Sequence, residues 1–380
     1  MTRRQRSASK PLVIARSGHI FAGGKIDRSI EGSPTVGQMY AEFWIPRKLL
    51  SPFPVVMIHG NWQTGANFTG TPDGRGGWAQ YFLRQGYAVY VVDQVARGRS
   101  PHFSMSQGKV GPADLQRTER RFTAPKTSGL WPQAKRHTQW PGNGKAGDKY
   151  FDAFYASQFP SLTDNEKSQE INRNAVVALL DEIGPSIVLT HSQSGAYGWL
   201  IADARPKLVK ALVSIEPNGP PVYESSLKGP PDWFEDTGPR KAYGLGFLPM
   251  HYDPPLEPGE QMSFVRQDKP DAPGLVRGWL QAEPARKLPN LARVPMLIVV
   301  AEASYHAAFD HCTAAYLAQA GVPVTFMRLE EVGLRGNGHM VMLEKNSDDV
   351  AGVLVGWLRS ELAKKRPPGK KASGKPRRKR

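Results

Sequence analysis

The stretch Pro185-Ser-Ile-Val-Leu-Thr-His-Ser-Gln-Ser-Gly195 constrains this chain more than any other. Ile187, Val188 and Leu189 form an apolar, β-branched run of the kind buried inside a sheet. Small and polar residues follow at once, and Gly195–Asp203 then reads as a helix. A strand, a sharp turn carrying serine and a helix form the context of a nucleophile elbow. Such an elbow lifts one side chain above a sheet and aims the next backbone N–H at a reacting oxygen. Small residues are needed two places to either side, because the turn brings those positions into contact.

Two serines compete for the tip. Ser192 is flanked at that spacing by Thr190 and Ser194, and Ser194 by Ser192 and Ala196. Choosing Ser194 extends the buried strand through His191, Ser192 and Gln193, and burying unpaired polar groups costs roughly 1–3 kcal/mol each. Ser192 is therefore the expected nucleophile, with Thr190 standing where glycine is usual.

Around this stretch the chain repeats a βαβ rhythm. Leu12–Ala15 and His19–Ala22, with Gly23-Gly24, suggest a hairpin, and Met39–Ile45 another strand. Phe53–Ile58 is a buried strand running into His59-Gly60-Asn61-Trp62. A helix over 77–85 and a strand over 87–92 follow, the strand ending in Asp93. Thr163-Asp-Asn-Glu166 reads as a capping box opening the helix before the elbow. Beyond the elbow come strands Ala211–Ile215, Pro295–Val300 and Val322–Leu329, and helices Ala307–Ala320 and Asp348–Ala363. Two irregular stretches, 101–161 and 218–293, exceed ordinary loop lengths and predict a cap built from two insertions.

The net charge of +16 is concentrated at the ends. Lys364–Arg380 holds ten Lys/Arg and no acid, and Met1–Lys10 holds four more; removing those fourteen leaves about two. The expectation is a nearly neutral domain over 11–363 between a basic disordered leader, 1–10, and a basic disordered tail, 364–380. The tail suits weak binding to nucleic acid or anionic surfaces by counterion release. No apolar run approaches the ~20 residues that cross a bilayer, and Pro11–Ala15 is too short for a signal h-region. Cys312 is the only cysteine, which rules out an internal disulfide and leads to an expected cytoplasmic location. A homodimer is compatible with this reading.

A serine hydroxyl becomes a nucleophile when a base removes its proton and an acid orients that base. Strand ends and loops supply these in the order Ser192, Glu216, His339. Glu302 and Asp310, after the Pro295–Val300 strand, are the alternative acids. Backbone N–H groups of Gln193 and Asn61 are the expected oxyanion donors, with Trp62 as the alternative to Asn61. Trp62, His191 and His306 are the expected substrate contacts. Asp73-Gly-Arg-Gly-Gly77 lacks the strand a dinucleotide site requires, and His306 with His311 lacks a matching ligand set, so neither cofactor nor metal is expected.

Several motifs together resemble the α/β-hydrolase superfamily. They are His59-Gly60, Asp93-Gln94 with Gly98-Arg-Ser100, Thr190–Gly195, Ile215-Glu-Pro217 and Gly336-Asn-Gly-His-Met340. They are most similar to a group of bacterial carboxylesterases whose triad glutamate follows the sixth strand, a group that Thr71–Arg75 with Trp78 and Tyr81–Arg84 also resembles. The oxyanion turn of that group can carry adjacent cysteines, where this chain has Asn61 and Trp62. The resemblance implies an α/β fold with a mostly parallel central sheet, helices on both faces and an inserted cap. It also implies hydrolysis of a small-molecule carboxylic ester through an acyl-enzyme, by Ser192, His339 and Glu216. Lactone or amide cleavage by the same triad is the near alternative. A catalytically silent protein binding a ligand or nucleic acid on this scaffold is the rival from another class.

Overall fold

The computed structural model describes residues 11–364. Its main sheet has eight strands: β1 (Ile14–Ile26), β2 (Thr35–Pro46), β3 (Val55–Ile58) and β4 (Val89–Asp93). The others are β5 (Ser186–His191), β6 (Val209–Ile215), β7 (Met296–Val300) and β8 (Val324–Arg328). Their spatial order is β1-β2-β4-β3-β5-β6-β7-β8. β1 pairs antiparallel with β2, and β2 with β4; every other pairing in this sheet is parallel.

The apolar runs of β3, β5 and β7 follow from burial on both faces, as expected for parallel strands covered by helices. Val55 and Met57 enter one core with Ile187, Leu189, Leu297 and Val299; Val56 and Ile58 enter the other with Val188, Leu212 and Ile298. α1 (Trp78–Arg84) and α6 (Ser347–Lys364) cover the first face through Trp78, Phe82, Leu354 and Leu358. α3 (Asn165–Ile183), α4 (Ser194–Ala204) and α5 (Asp310–Gln319) cover the second through Leu179, Trp199 and Leu317. Another helix, α2 (Lys149–Ala156), lies in the first insertion.

Two local expectations are corrected. Gly23 and Gly24 do not turn a hairpin: they lie inside β1, paired with Gln38 and its neighbours, and the reversal comes at 27–34, where Asp27 N–H donates to Pro34 O. The cap of α3 is Asp164 rather than Thr163, its carboxylate accepting Lys167 N–H at 2.9 Å. Aspartate reaches that donor from the position preceding the first helical residue.

The first insertion contains short helices and one two-residue strand pair, and the second holds two small antiparallel pairs, Glu224–Leu227 with Phe234–Thr237 and Phe264–Arg266 with Trp279–Gln281. Among the described residues, no helix is long and apolar enough to cross a membrane. Of the segments expected to be disordered, 1–10 and 364–380, all but Lys364, which ends α6, lie outside the described residues.

Candidate active site

Ser192 follows β5 directly, with φ at +55°. That left-handed conformation is uncommon for a residue with a Cβ and persists where surrounding structure enforces it. Here Ser192 N–H donates to Ile215 O at 3.0 Å, and Ser192 O accepts the N–H groups of Gly195 and Asn218 at 2.8 Å each. Two glycines permit the close approach. A Cβ on Gly195 would lie 2.4 Å from Pro217 Cβ, and one on Gly60 would lie 2.9 Å from Ser192 Cβ. The elbow, the turn after β6 and the turn after β3 therefore converge on one point.

Ser194 lies beneath that point. Its fully buried hydroxyl accepts His191 N–H at 2.9 Å and lies 2.8 Å from Ile58 O and 2.9 Å from His191 O, to which it donates. It ties β5 to β3, whereas Ser192 keeps some solvent exposure.

Glu216 ends β6 with φ at +46°. One carboxylate oxygen accepts Ala301 N–H at 2.8 Å; the other accepts Ser304 Oγ–H at 2.7 Å and His339 Nδ1–H at 2.5 Å. The loop after β7 thus supplies donors to Glu216 instead of an acid of its own. Glu302 in that loop binds Arg335 and Gly336 N–H at 3.1 and 2.8 Å, and Asp310 binds His306 Nδ1 at 2.8 Å.

His339 is enclosed by rings. His306 and Phe122 stack on it with centroids at 4.9 and 5.0 Å, and His191 and Tyr305 pack at 4.6 and 4.9 Å. Its other nitrogen, Nε2, faces Tyr305 Oη at 3.5 Å, long for a hydrogen bond. Its loop is held by Glu344, which accepts Gly338 N–H at 2.9 Å and Asn337 Nδ2 at 2.8 Å and pairs with His137 of the first insertion at 2.7 Å.

Burial governs the charges. It pushes the Glu216 carboxyl up to about 7 and holds His339 well below the ordinary histidine value, with His306 and Arg121 adding to the effect. The nearby His306 and the donors from Ser304 and Ala301 oppose its upward shift. With Nδ1–H donating, the shared proton rests on the imidazole and Nε2 is a lone-pair acceptor. Glu216, His306 and His339 also place one possible metal-ligating atom each within 4.8 Å of one another. The same side chains are hydrogen-bonded, Glu216 to Ser304 and His339 and His306 to Asp310.

The β3 turn lies opposite. Trp62 N–H is bound by Ser161 Oγ at 2.8 Å, while among the described residues the N–H groups of Asn61 and Gln193 make no recorded hydrogen bond. Of the two expected oxyanion donors in this turn, Trp62 N–H is therefore occupied and Asn61 N–H is not. Arg97, which sequence reasoning missed, braces this turn from inside the protein. It donates to Gly60 O at 2.7 Å and to the Gln193 side chain at 3.2 Å. Burial pulls its guanidinium down to about 10.

His191 and His306, expected as substrate contacts, are both buried; His191 Nε2–H donates to His339 O at 3.0 Å, His306 Nδ1 pairs with Asp310 at 2.8 Å, and both rings pack on His339. Trp62, also expected as a substrate contact, is buried against Phe122 and beneath Arg117. Phe122, Tyr305 and Ser304 were also missed; of these only Ser304, in a strand-end loop, carried any positional signal.

An eight-stranded sheet in this order, with serine, glutamate and histidine at the ends of β5, β6 and the loop after β8, defines an α/β hydrolase scaffold. Residues 55–353 match the alpha/beta hydrolase family, and the chain belongs to it. It is 44% identical over 329 residues to the "Probable secreted lipase phiG" of a fungal species (strain ATCC 74256), covering 85% of this chain and 86% of that one. Among solved structures it is similar to one described as a novel bacterial esterase. The TM-score is 0.62 at 22% identity, covering 94% of this chain and 99% of that one, a likeness of fold. Esterase Est22 aligns at a TM-score of 0.45 and 12% identity, over 90% of this chain and 80% of that one.

Proposed function

We propose that this protein is a serine hydrolase that cleaves a carboxylic ester through an acyl-enzyme. The observation carrying this reading is the buried Glu216–His339 bond of 2.5 Å, with His339 packed at 4.6 Å on His191, the residue before a serine held at φ +55°. His339 Nε2 takes the Ser192 proton as Oγ bonds to the ester carbonyl carbon. The carbonyl oxygen becomes an oxyanion received by the N–H groups of Asn61 and Gln193. Collapse breaks the bond to the alcohol, which leaves with the proton from His339. Water, deprotonated by His339, then attacks the acyl carbon; Ser192 departs with the proton and the acid is released. Kinship with a protein named a lipase supports ester chemistry at this site.

The test is labelling by a fluorophosphonate probe, which reacts with activated serines. Modification is expected at Ser192 in the folded protein and nowhere else; an unlabelled Ser192 would remove the nucleophile from this scheme.

The pH profile follows from the buried imidazole. Nε2 must be neutral to accept the serine proton, and the folded-state pKa of His339 is depressed, chiefly by burial. The acid limb of kcat/KM for an uncharged ester is therefore expected below the ordinary histidine value of about 6.5. Rates at successive pH values, with folding checked by circular dichroism, measure it; a limb at or above that value contradicts the buried base.

A further inference from the structure

The first insertion lays two arginines beside the reacting groups. A short π-helical turn, Glu119–Thr123, carries Arg121 and Phe122. Phe122 stacks on His339, and the guanidinium carbon of Arg121 lies 5.5 Å from the centre of the Tyr305 ring, whose hydroxyl faces His339 Nε2. One turn earlier, Arg117 stands 5.3 Å over the ring of Trp62, which follows the oxyanion donor Asn61.

Other half-buried or buried cations among the described residues have partners. Arg75 pairs with Asp73 at 2.8 Å, Arg266 with Asp236 at 3.2 Å, and the buried Lys241 with Glu224 at 2.8 Å. Arg121 is also only partly exposed, yet among the described residues its guanidinium has no recorded ion pair or hydrogen bond, only the Tyr305 ring. Glu224, the acid whose field reaches it, is committed to Lys241. Burial and the charge of Arg117 hold Arg121 below the usual arginine range. Desolvating a cation without a partner is unfavourable. Doing so beside reacting atoms suits an oxyanion that arrives with the substrate, since guanidinium binds carboxylate-like groups through two parallel N–H donors.

We propose that Arg121, assisted by Arg117, binds an anionic group carried by the substrate, so that preferred substrates are esters bearing a carboxylate or similar oxyanion. This rests on the ester-hydrolase reading above and deepens it to a substrate class. The two arginines lie over Tyr305 and Trp62, on either side of the Phe122 ring that packs on the base. The anion therefore anchors one end of the ester while its carbonyl meets Ser192.

Two substrate pairs test this at low salt: para-butyryloxybenzoate against its methyl ester, for an anion on the alcohol side, and monomethyl against dimethyl adipate, for one on the acyl side. In at least one pair, kcat/KM is expected to favour the anion about tenfold or more, mainly through KM, and the advantage should shrink as salt screens the pair. Arg121→Glu should reverse the ratio and Arg121→Lys should keep part of it. Arg120→Glu, exposed on the same turn, should leave it as in the native protein. The ratio is taken within one sample, so a variant that folds poorly still reports. A ratio near one in both pairs, or a tenfold preference that survives Arg121→Glu, overturns the anion site while neutral-ester turnover keeps the hydrolase reading alive. No turnover of any member overturns both.

Discussion

Glu216→Gln is expected to lower kcat for a simple ester by roughly 10⁴-fold, the loss that follows when a triad acid becomes its amide. The reason lies in the donors that surround the carboxylate. Ala301 N–H points at one oxygen, while Ser304 Oγ–H and His339 Nδ1–H point at the other. An amide offers a single oxygen. The Ala301 N–H is fixed in the backbone and claims it, whereas the Ser304 hydroxyl can rotate to accept. The amide NH2 then faces His339, which must present a lone pair at Nδ1 and carry its proton on Nε2. That tautomer cannot accept the proton of Ser192.

Glu302→Gln and Asp310→Asn should cost far less, because Glu302 steadies Arg335 and Gly336 and Asp310 steadies His306. Turnover of one ester by the three amide variants, each checked for folding and for fluorophosphonate labelling, decides between them. If Glu302→Gln or Asp310→Asn were the crippling change, Glu216 would lose its role while serine and histidine kept theirs.

The parts of this site at strand ends were legible in the sequence, because burial on both faces writes a strand as an uninterrupted apolar run. Val55–Ile58, Ile187–Leu189 and Ala211–Ile215 stop at the polar residues His59, Thr190 and Glu216, and those stops carry Asn61, Ser192 and Glu216 within a few positions. Thr190 in the usual glycine position is accommodated by Gly198 on α4, whose Cβ would lie 3.1 Å from Thr190 Cγ2. That compensation is tertiary and invisible along the chain. The same holds for Arg121 and Phe122 of the first insertion, for Tyr305 in the loop after β7 and for Arg97 in the turn after β4. They sit in segments without periodicity, and only tertiary packing brings Phe122 and Tyr305 onto His339 and Arg97 under the β3 turn. Adjacency to a nucleophile or a pocket-forming loop likewise does not tell which way a ring turns, and here hydrogen bonds to His339 O and Asp310 hold His191 and His306 inside the protein.

The larger loss is expected at the elbow itself. Ser192→Ala should reduce kcat by roughly 10⁶-fold, since removing the nucleophile of a serine triad leaves only oxyanion stabilisation and binding. The backbone should hold, because the turn is fixed by bonds of Ser192 N–H and C=O that alanine retains. Ser194→Ala should show the opposite division. Its hydroxyl joins β5 to β3, so His191 N–H and Ile58 O lose a buried partner, a defect worth about 1–3 kcal/mol of stability. Turnover per folded molecule should fall far less than in Ser192→Ala, because Ser194 Oγ points beneath the sheet ends rather than toward His339. Denaturant unfolding and ester turnover on the two variants measure both halves. A stable, inactive Ser194→Ala beside an active Ser192→Ala would move the nucleophile two residues along the chain and undo the elbow described here.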